Sequence, residues 1–114
     1  MNEELEDRVR KYYTCLDRDL YDDLADILAQ DMVHYRPDRT IEGRDTFISF
    51  MRDKRPLKDT THEIESIYRK LGSADQEIAV RGSLKQGDDA LFEFIDVVSF
   101  DQDRRIKSIY TFTR

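Results

Sequence analysis

FEFIDVVSF, Phe92–Phe100, is the stretch whose reading decides the fold. It is rich in aromatic and β-branched residues, so it reads as a strand. Successive strand residues face opposite sides of a sheet. Phe92, Phe94, Asp96, Val98 and Phe100 therefore share one face, and Glu93, Ile95, Val97 and Ser99 share the other. The first face is the greasier, and Asp96 is the only carboxylate on it. An ionised carboxylate in such company needs a partner or has to become neutral.

Working outward, this strand (Ala90–Asp101) is followed by a turn at Gln102–Arg104 and a last strand, Arg105–Thr113. Before it come a strand at Thr60–Lys70, a turn at Gly72–Asp75, a strand at Gln76–Gln86 and a tight turn at Gly87-Asp88-Asp89. Long strands joined by short turns make an antiparallel meander. The N-terminal half has a helical period instead. From Glu3 to Leu20, Leu5, Val9, Tyr12, Leu16 and Leu20 recur at spacings of 4, 3, 4 and 4, which is one apolar stripe. A second short helix spans about Asp22–Gln30, and DMVHYR, Asp31–Arg36, is a short strand ended by Pro37. After a loop to Gly43, a third helix runs to Arg55 with Phe47, Phe50 and Met51 inward, and Pro56 closes it. Three helices followed by a meander predict an α+β fold. The sheet has to curl over the helices to bury their stripes. A curled antiparallel sheet capped by helices encloses a cone able to hold a small ligand.

Bulk properties narrow the function classes. At 114 residues the chain is expected to form one domain, 1–114. Its net charge of −6 and lack of a basic stripe argue against a nucleic-acid partner. Cys15 is the only cysteine, so no intrachain disulfide forms and a reducing cytoplasm is the expected location. No apolar run approaches the roughly 20 residues that span a bilayer, so no membrane partner is expected. Two histidines and one cysteine do not make a closed zinc site, and neither metal nor organic cofactor is implied.

Two strings carry a family resemblance. VRKYYTCLDRDLYDDLADILAQDMVHYRP, Val9–Pro37, and FIDVVSFDQDRRIKSIYTF, Phe94–Phe112, together with the Ile41-Glu42-Gly43-Arg44 entry to the third helix, resemble the nuclear-transport-factor-2-like superfamily. That superfamily includes ketosteroid isomerases, SnoaL-like polyketide cyclases and limonene epoxide hydrolases. The resemblance implies a cone-shaped, cystatin-like or ketosteroid isomerase-like α+β barrel. It also implies a hydrophobic small-molecule ligand and pairing of two sheets back to back, with Ile95 and Val97 under a partner copy. Tyr12 falls where ketosteroid isomerases carry the phenol of their oxyanion hole, and Asp96 where they carry its aspartic acid, which an apolar site keeps protonated. Arg36 stands in place of the general-base aspartate, and arginine takes no proton at neutral pH. His34, two residues earlier on the same strand face, is the nearest replacement. The epoxide hydrolase pattern is weaker, because Arg81-Gly82-Ser83 offers the arginine with a serine in place of the second carboxylate.

The expected chemistry, if the chain is an enzyme, is proton transfer next to a carbonyl, as in isomerases and cyclases. Asp96, Tyr12 and His34 are the candidate catalytic residues, with Arg36, Arg81, Phe94, Val98 and Phe50 as substrate-binding candidates. The competing reading is a binding or dimerisation module in which Asp96, Arg36 and Tyr12 close a structural network. Arg36 sets the two apart: bonded to Asp96 it would keep that acid ionised, and turned away it would leave Asp96 free to be neutral. Tyr13 reads as a residue on the flank of the stripe, His62 as a strand-end residue and Cys15 as packing.

Overall fold

A computed structural model describes residues 2–55, 57, 59–70 and 76–114. Helix α1 (Asn2–Asp17) is followed by α2 (Tyr21–Ile27), β1 (Leu28–Tyr35), β2 (Thr40–Glu42) and α3 (Arg44–Ser49), which runs on into a π-helical turn, Phe50–Lys54. Strands β3 (Thr61–Arg69), β4 (Glu77–Gln86), β5 (Asp89–Phe100) and β6 (Ile106–Thr113) complete the chain. The six strands form one curved, unclosed sheet in the order β2-β1-β6-β5-β4-β3. The meander supplies β3 to β6 and the early strand β1 pairs parallel with β6. The expected α+β cone is the observed architecture.

Local differences from the sequence reading have physical causes. Leu20 does not continue the first stripe: α1 ends at Asp17, Asp19 takes a left-handed backbone (φ 57°), and Leu20 is 40% exposed. The stripe is also wider than its 4-3-4 skeleton. Tyr13 and Cys15 are buried with Leu5, Val9, Tyr12 and Leu16, because α1 is covered by both α2 and the sheet. The expected loop before Gly43 holds β2, which pairs with β1 at Ile41↔His34. The predicted turn at Gly72–Asp75 and the closing Pro56 lie outside the described residues.

On β5 the predicted burial alternation holds from Phe94 onward, while Phe92, expected on the same inner face, is 37% exposed. Phe94, Asp96, Val98 and Phe100 are buried, while Ile95 is 42% exposed. Gly82 opposite Phe94 has no room for a side chain: an added Cβ would lie 2.3 Å from the Glu63 carbonyl oxygen and 3.0 Å from the Phe94 ring. It sits where the β3–β4 register shifts, and that bulge sharpens the curl of the sheet around the core.

Candidate functional site

Between the inner face of the sheet and the ends of α1 and α3 lies a cavity of about 170 Å³. Its walls mix apolar side chains (Leu16, Met51, Leu84, Phe92, Phe94) with polar and ionisable ones: Tyr12, His34, Arg36, Arg55, Thr60, His62, Asp96 and Thr111. Three buried side-chain polar atoms among the described residues have no hydrogen-bond partner: His34 Nδ1, Arg55 Nε and Thr60 Oγ1. All three belong to residues that line this cavity. Buried polar atoms in a folded protein are almost always paired, so the unmet hydrogen bonding of the described residues is concentrated at this cavity.

One side of the cavity is a hydrogen-bonded row across three neighbouring strands. Asp96 on β5 and Thr111 on β6 are direct cross-strand partners, and His34 stands on β1 next to β6. The Thr111 hydroxyl donates to Asp96 Oδ1 at 2.5 Å, and the Tyr13 hydroxyl, reaching from α1, donates to Asp96 Oδ2 at 2.6 Å. His34 Nε2 lies 2.8 Å from Thr111 Oγ1. With its proton committed to Asp96, Thr111 accepts from His34 Nε2–H, and Nδ1 is left as the bare acceptor. Burial pushes the Asp96 carboxyl above its ordinary range; the hydrogen bonds from Thr111 and Tyr13 and the charges of His62 and Arg36 oppose that rise without cancelling it. Burial and the Arg36 charge together hold His34 at about 3, so its imidazole is neutral at physiological pH.

The opposite side is held by α1 and β3. Asp17, in the last turn of α1, accepts the backbone N–H of His62 at 3.0 Å on Oδ2 and faces His62 Nδ1 at 2.6 Å with Oδ1. This fixes the ring. In the neutral imidazole Nδ1 carries the proton toward the carboxylate, and Nε2 is the free basic nitrogen. The ring packs against Tyr13 and Phe94, with centroids 5.0 and 5.6 Å away. Tyr12 lies between the two sides. Its hydroxyl makes no hydrogen bond among the described residues, and burial together with the Asp96 charge keeps it a phenol well above its usual range.

The SnoaL-like domain pattern matches residues 9–109. This chain belongs to the SnoaL-like domain family. Among solved structures, a candidate ketosteroid isomerase from Kribbella flavida DSM 17836 is 21% identical, with a TM-score of 0.80 over 98% of this chain and 78% of that one. A candidate polyketide cyclase from Sinorhizobium meliloti is 14% identical, with a TM-score of 0.79 over 98% and 99%. The Orange Carotenoid Protein of Anabaena (Nostoc) sp. PCC 7120, solved binding canthaxanthin, is 16% identical with a TM-score of 0.78; the match covers 91% of this chain and 35% of that one. At these identities the likeness is one of fold. None of the curated proteins matches this chain in sequence.

Within the SnoaL-like frame, the candidate residues divide. Asp96, Tyr12, His34, Arg36 and Phe94 line the cavity. Tyr12 does not bond Asp96; its neighbour Tyr13 does, because it is the residue of α1 whose side chain reaches β5. Arg36 does not bond Asp96 either. Its Nε donates to Asp38 at 3.1 Å and its guanidinium lies 5.1 Å from the centre of the Phe50 ring. Phe50 thus packs under Arg36 and Arg39 rather than in the cavity wall. Val98 is fully buried core. Arg81 points to the outer face, opposite Ile95 in register and paired with Glu65 at 3.3 Å, so the arginine of an epoxide hydrolase-like pair is absent from the cavity. Sequence reasoning took Tyr13 as a flank residue and His62 as a strand-end residue, and it did not single out Thr111, Asp17 or Arg55 for the site. The register of the last hairpin was the available signal for Thr111. For Tyr13 it was the i, i+4 and i+3 spacing to Val9 and Leu16.

Proposed function

We propose that this chain is a small-molecule pocket protein that transfers a proton next to a carbonyl, in the manner of isomerases and cyclases, with His62 as the proton carrier. The observation that carries this reading is the imidazole held by Asp17, with its second nitrogen free, in the wall of a cavity that also presents the unbonded Tyr12 phenol and three unpartnered polar atoms. His62 Nε2 removes a proton from the carbon beside the carbonyl. Asp17 holds the ring in the required tautomer and steadies the imidazolium that forms. Tyr12 donates to the oxygen that gains charge, a contact of the kind worth about 3–4 kcal/mol. His62 then returns the proton to another position of the same molecule. Asp96, with both oxygens occupied by Tyr13 and Thr111, shapes the wall rather than exchanging protons with the substrate. A cavity near 170 Å³ suits a body of about one ring, since a dry site of roughly 150 Å³ accepts benzene. It does not suit a steroid lying wholly inside.

The test is exchange in deuterated water. Small cyclic and aryl ketones are incubated with the protein, and loss of the α-proton signal is followed by NMR. Catalysed exchange is the expected result. Saturable binding without exchange would leave the second reading, a non-catalytic binding module, which the closed Tyr13–Asp96–Thr111 network favours.

We further propose that the outer sheet face pairs with a second copy of the chain. Ile95, Tyr110, Phe112 and Tyr68 are exposed on it at 42, 42, 57 and 52%, and Tyr110 stacks on Tyr35 at 4.2 Å. An apolar stripe across neighbouring strands suits a partner better than water. Light scattering is expected to give twice the 13.6 kDa chain mass, and Ile95→Glu with Phe112→Glu to give the monomer. A monomeric wild type would defeat the pairing. A cytoplasmic setting fits the single buried thiol of Cys15.

A further inference from the structure

The carboxylates around the cavity and the Arg36 guanidinium have close partners. Asp96 is bonded by Tyr13 and Thr111, Asp17 by His62, and Arg36 by Asp38 and the Phe50 ring. Arg55 is different. It follows the π-helical turn and its side chain is only 10% exposed. Its Nε is buried with no hydrogen-bond partner. One terminal nitrogen reaches the Leu16 carbonyl at 3.5 Å, the limit of a hydrogen bond, and the carboxylate it approaches, Asp19, is 3.9 Å away and 57% exposed. A guanidinium taken out of water without close partners carries a large desolvation cost. The cost is recovered when an anion fills the fork of Nε and a terminal nitrogen.

We propose that Arg55 makes the cavity selective for a small carboxylate-bearing molecule, its acid group held in the guanidinium fork and its apolar body against Leu16, Leu84 and Phe94. This deepens the reading of the cavity as a substrate site and rests on it: joined to proton transfer beside a carbonyl, the substrate class is a small keto acid. The walls favour a carboxylate over a phosphate. Arg55 is a cation of the cavity lining whose one acidic partner is distant and exposed, and its surroundings are chiefly apolar side chains, which suits a monoanion on a greasy frame.

The test is a titration of the full-length, isotope-labelled chain with benzoate and with benzamide, its uncharged isostere, followed by amide shifts at Thr60, His62 and Leu84. Wild type is expected to bind benzoate at least about tenfold more tightly than benzamide, the margin of a charge-assisted hydrogen bond. Arg55→Met is expected to bring benzoate down to the level of benzamide and leave benzamide unchanged. Arg55→Lys keeps the charge but loses the fork, so it should fall between the two. Thermal unfolding of each variant shows that it is folded, and Arg55→Lys carries the test if Arg55→Met is not. Equal binding of both probes by wild type, or a benzoate preference that survives Arg55→Met, overturns carboxylate selectivity while leaving a ligand pocket in place. Binding of neither probe overturns both.

Discussion

The two histidines of this cavity face the same space with opposite equipment. His34 stands in a row of strands, buried, its Nε2 engaged with a threonine hydroxyl and an arginine charge nearby. His62 is positioned by a carboxylate at the end of α1 and keeps a nitrogen free. Burial beside a cation keeps one imidazole neutral, whereas a carboxylate on one nitrogen orients the other ring and leaves its second nitrogen unbonded. The lesson concerns neighbours. A buried histidine beside an arginine on the same strand is a poor base, first because it is buried and then because of that arginine.

The sharpest way to break this comparison is to remove each ring in turn. His62→Gln should lower catalysed α-proton exchange by about 10²–10⁴-fold, the usual contribution of a positioned acid–base group. His34→Gln should lower it by less than about tenfold, because a neutral, engaged imidazole only supports Thr111 and Asp96. The measurement is the exchange rate at saturating ketone. Equal losses, or a larger one for His34→Gln, would reverse the roles assigned to the two sides.

The same contrast explains what was legible in the sequence. Alternation along FEFIDVVSF placed Asp96 inside and Ile95 outside, because a strand has a period of two and a one-residue slip would expose the three buried apolar side chains Phe94, Val98 and Phe100. The α+β order and the cavity wall at Tyr12, His34, Arg36 and Asp96 followed from local pattern and from the family likeness. The bonds that assign roles did not follow. Asp17 and His62 are 45 residues apart, Tyr13 and Asp96 are 83 apart, and His34 and Thr111 are 77 apart. The first two depend on how far α1 rotates over the sheet, where a rotation of one residue exchanges Tyr12 for Tyr13, and the third on the parallel pairing of β1 with β6. Arg81 lies on the outer face by plain alternation along β4, between the inward Val80 and Gly82 and opposite Ile95.

Tyr13→Phe sharpens the Asp96 side. It deletes the donor to Oδ2 and leaves a buried acceptor unmet. Above the raised Asp96 titration the carboxylate is charged, and losing a hydrogen bond to it should cost about 1.5–3 kcal/mol in urea unfolding. Below that titration the bond is to a neutral acid and the cost should fall to about 1 kcal/mol. The Asp96 carboxyl itself should titrate higher in the variant, since one of the bonds that favour its ionised form is gone. A cost that does not change with pH would mean that the acid keeps one charge state throughout.

The smallest effect tests the His34 side by its pH dependence. The folded imidazole titrates at about 3 against an ordinary 6.5. Between those values the unfolded chain takes up a proton that the folded chain refuses. Stability from this group is therefore complete above pH 6.5 and is lost as the pH falls toward 3. At pH 5.5 the loss is about 1.4 kcal/mol, one unit of displacement. Asp96 works in the opposite sense: its raised titration means that the folded chain takes up a proton first, and acidification through that value favours folding. The difference between wild type and His34→Gln separates the two, because glutamine has no charge to gain. Urea unfolding from pH 7.5 to 5.5 should show wild type losing about 1.4 kcal/mol relative to the variant. Parallel curves would mean that the folded imidazole is free to take up its proton in that range, and the two histidines would then differ only in which neighbour each one faces.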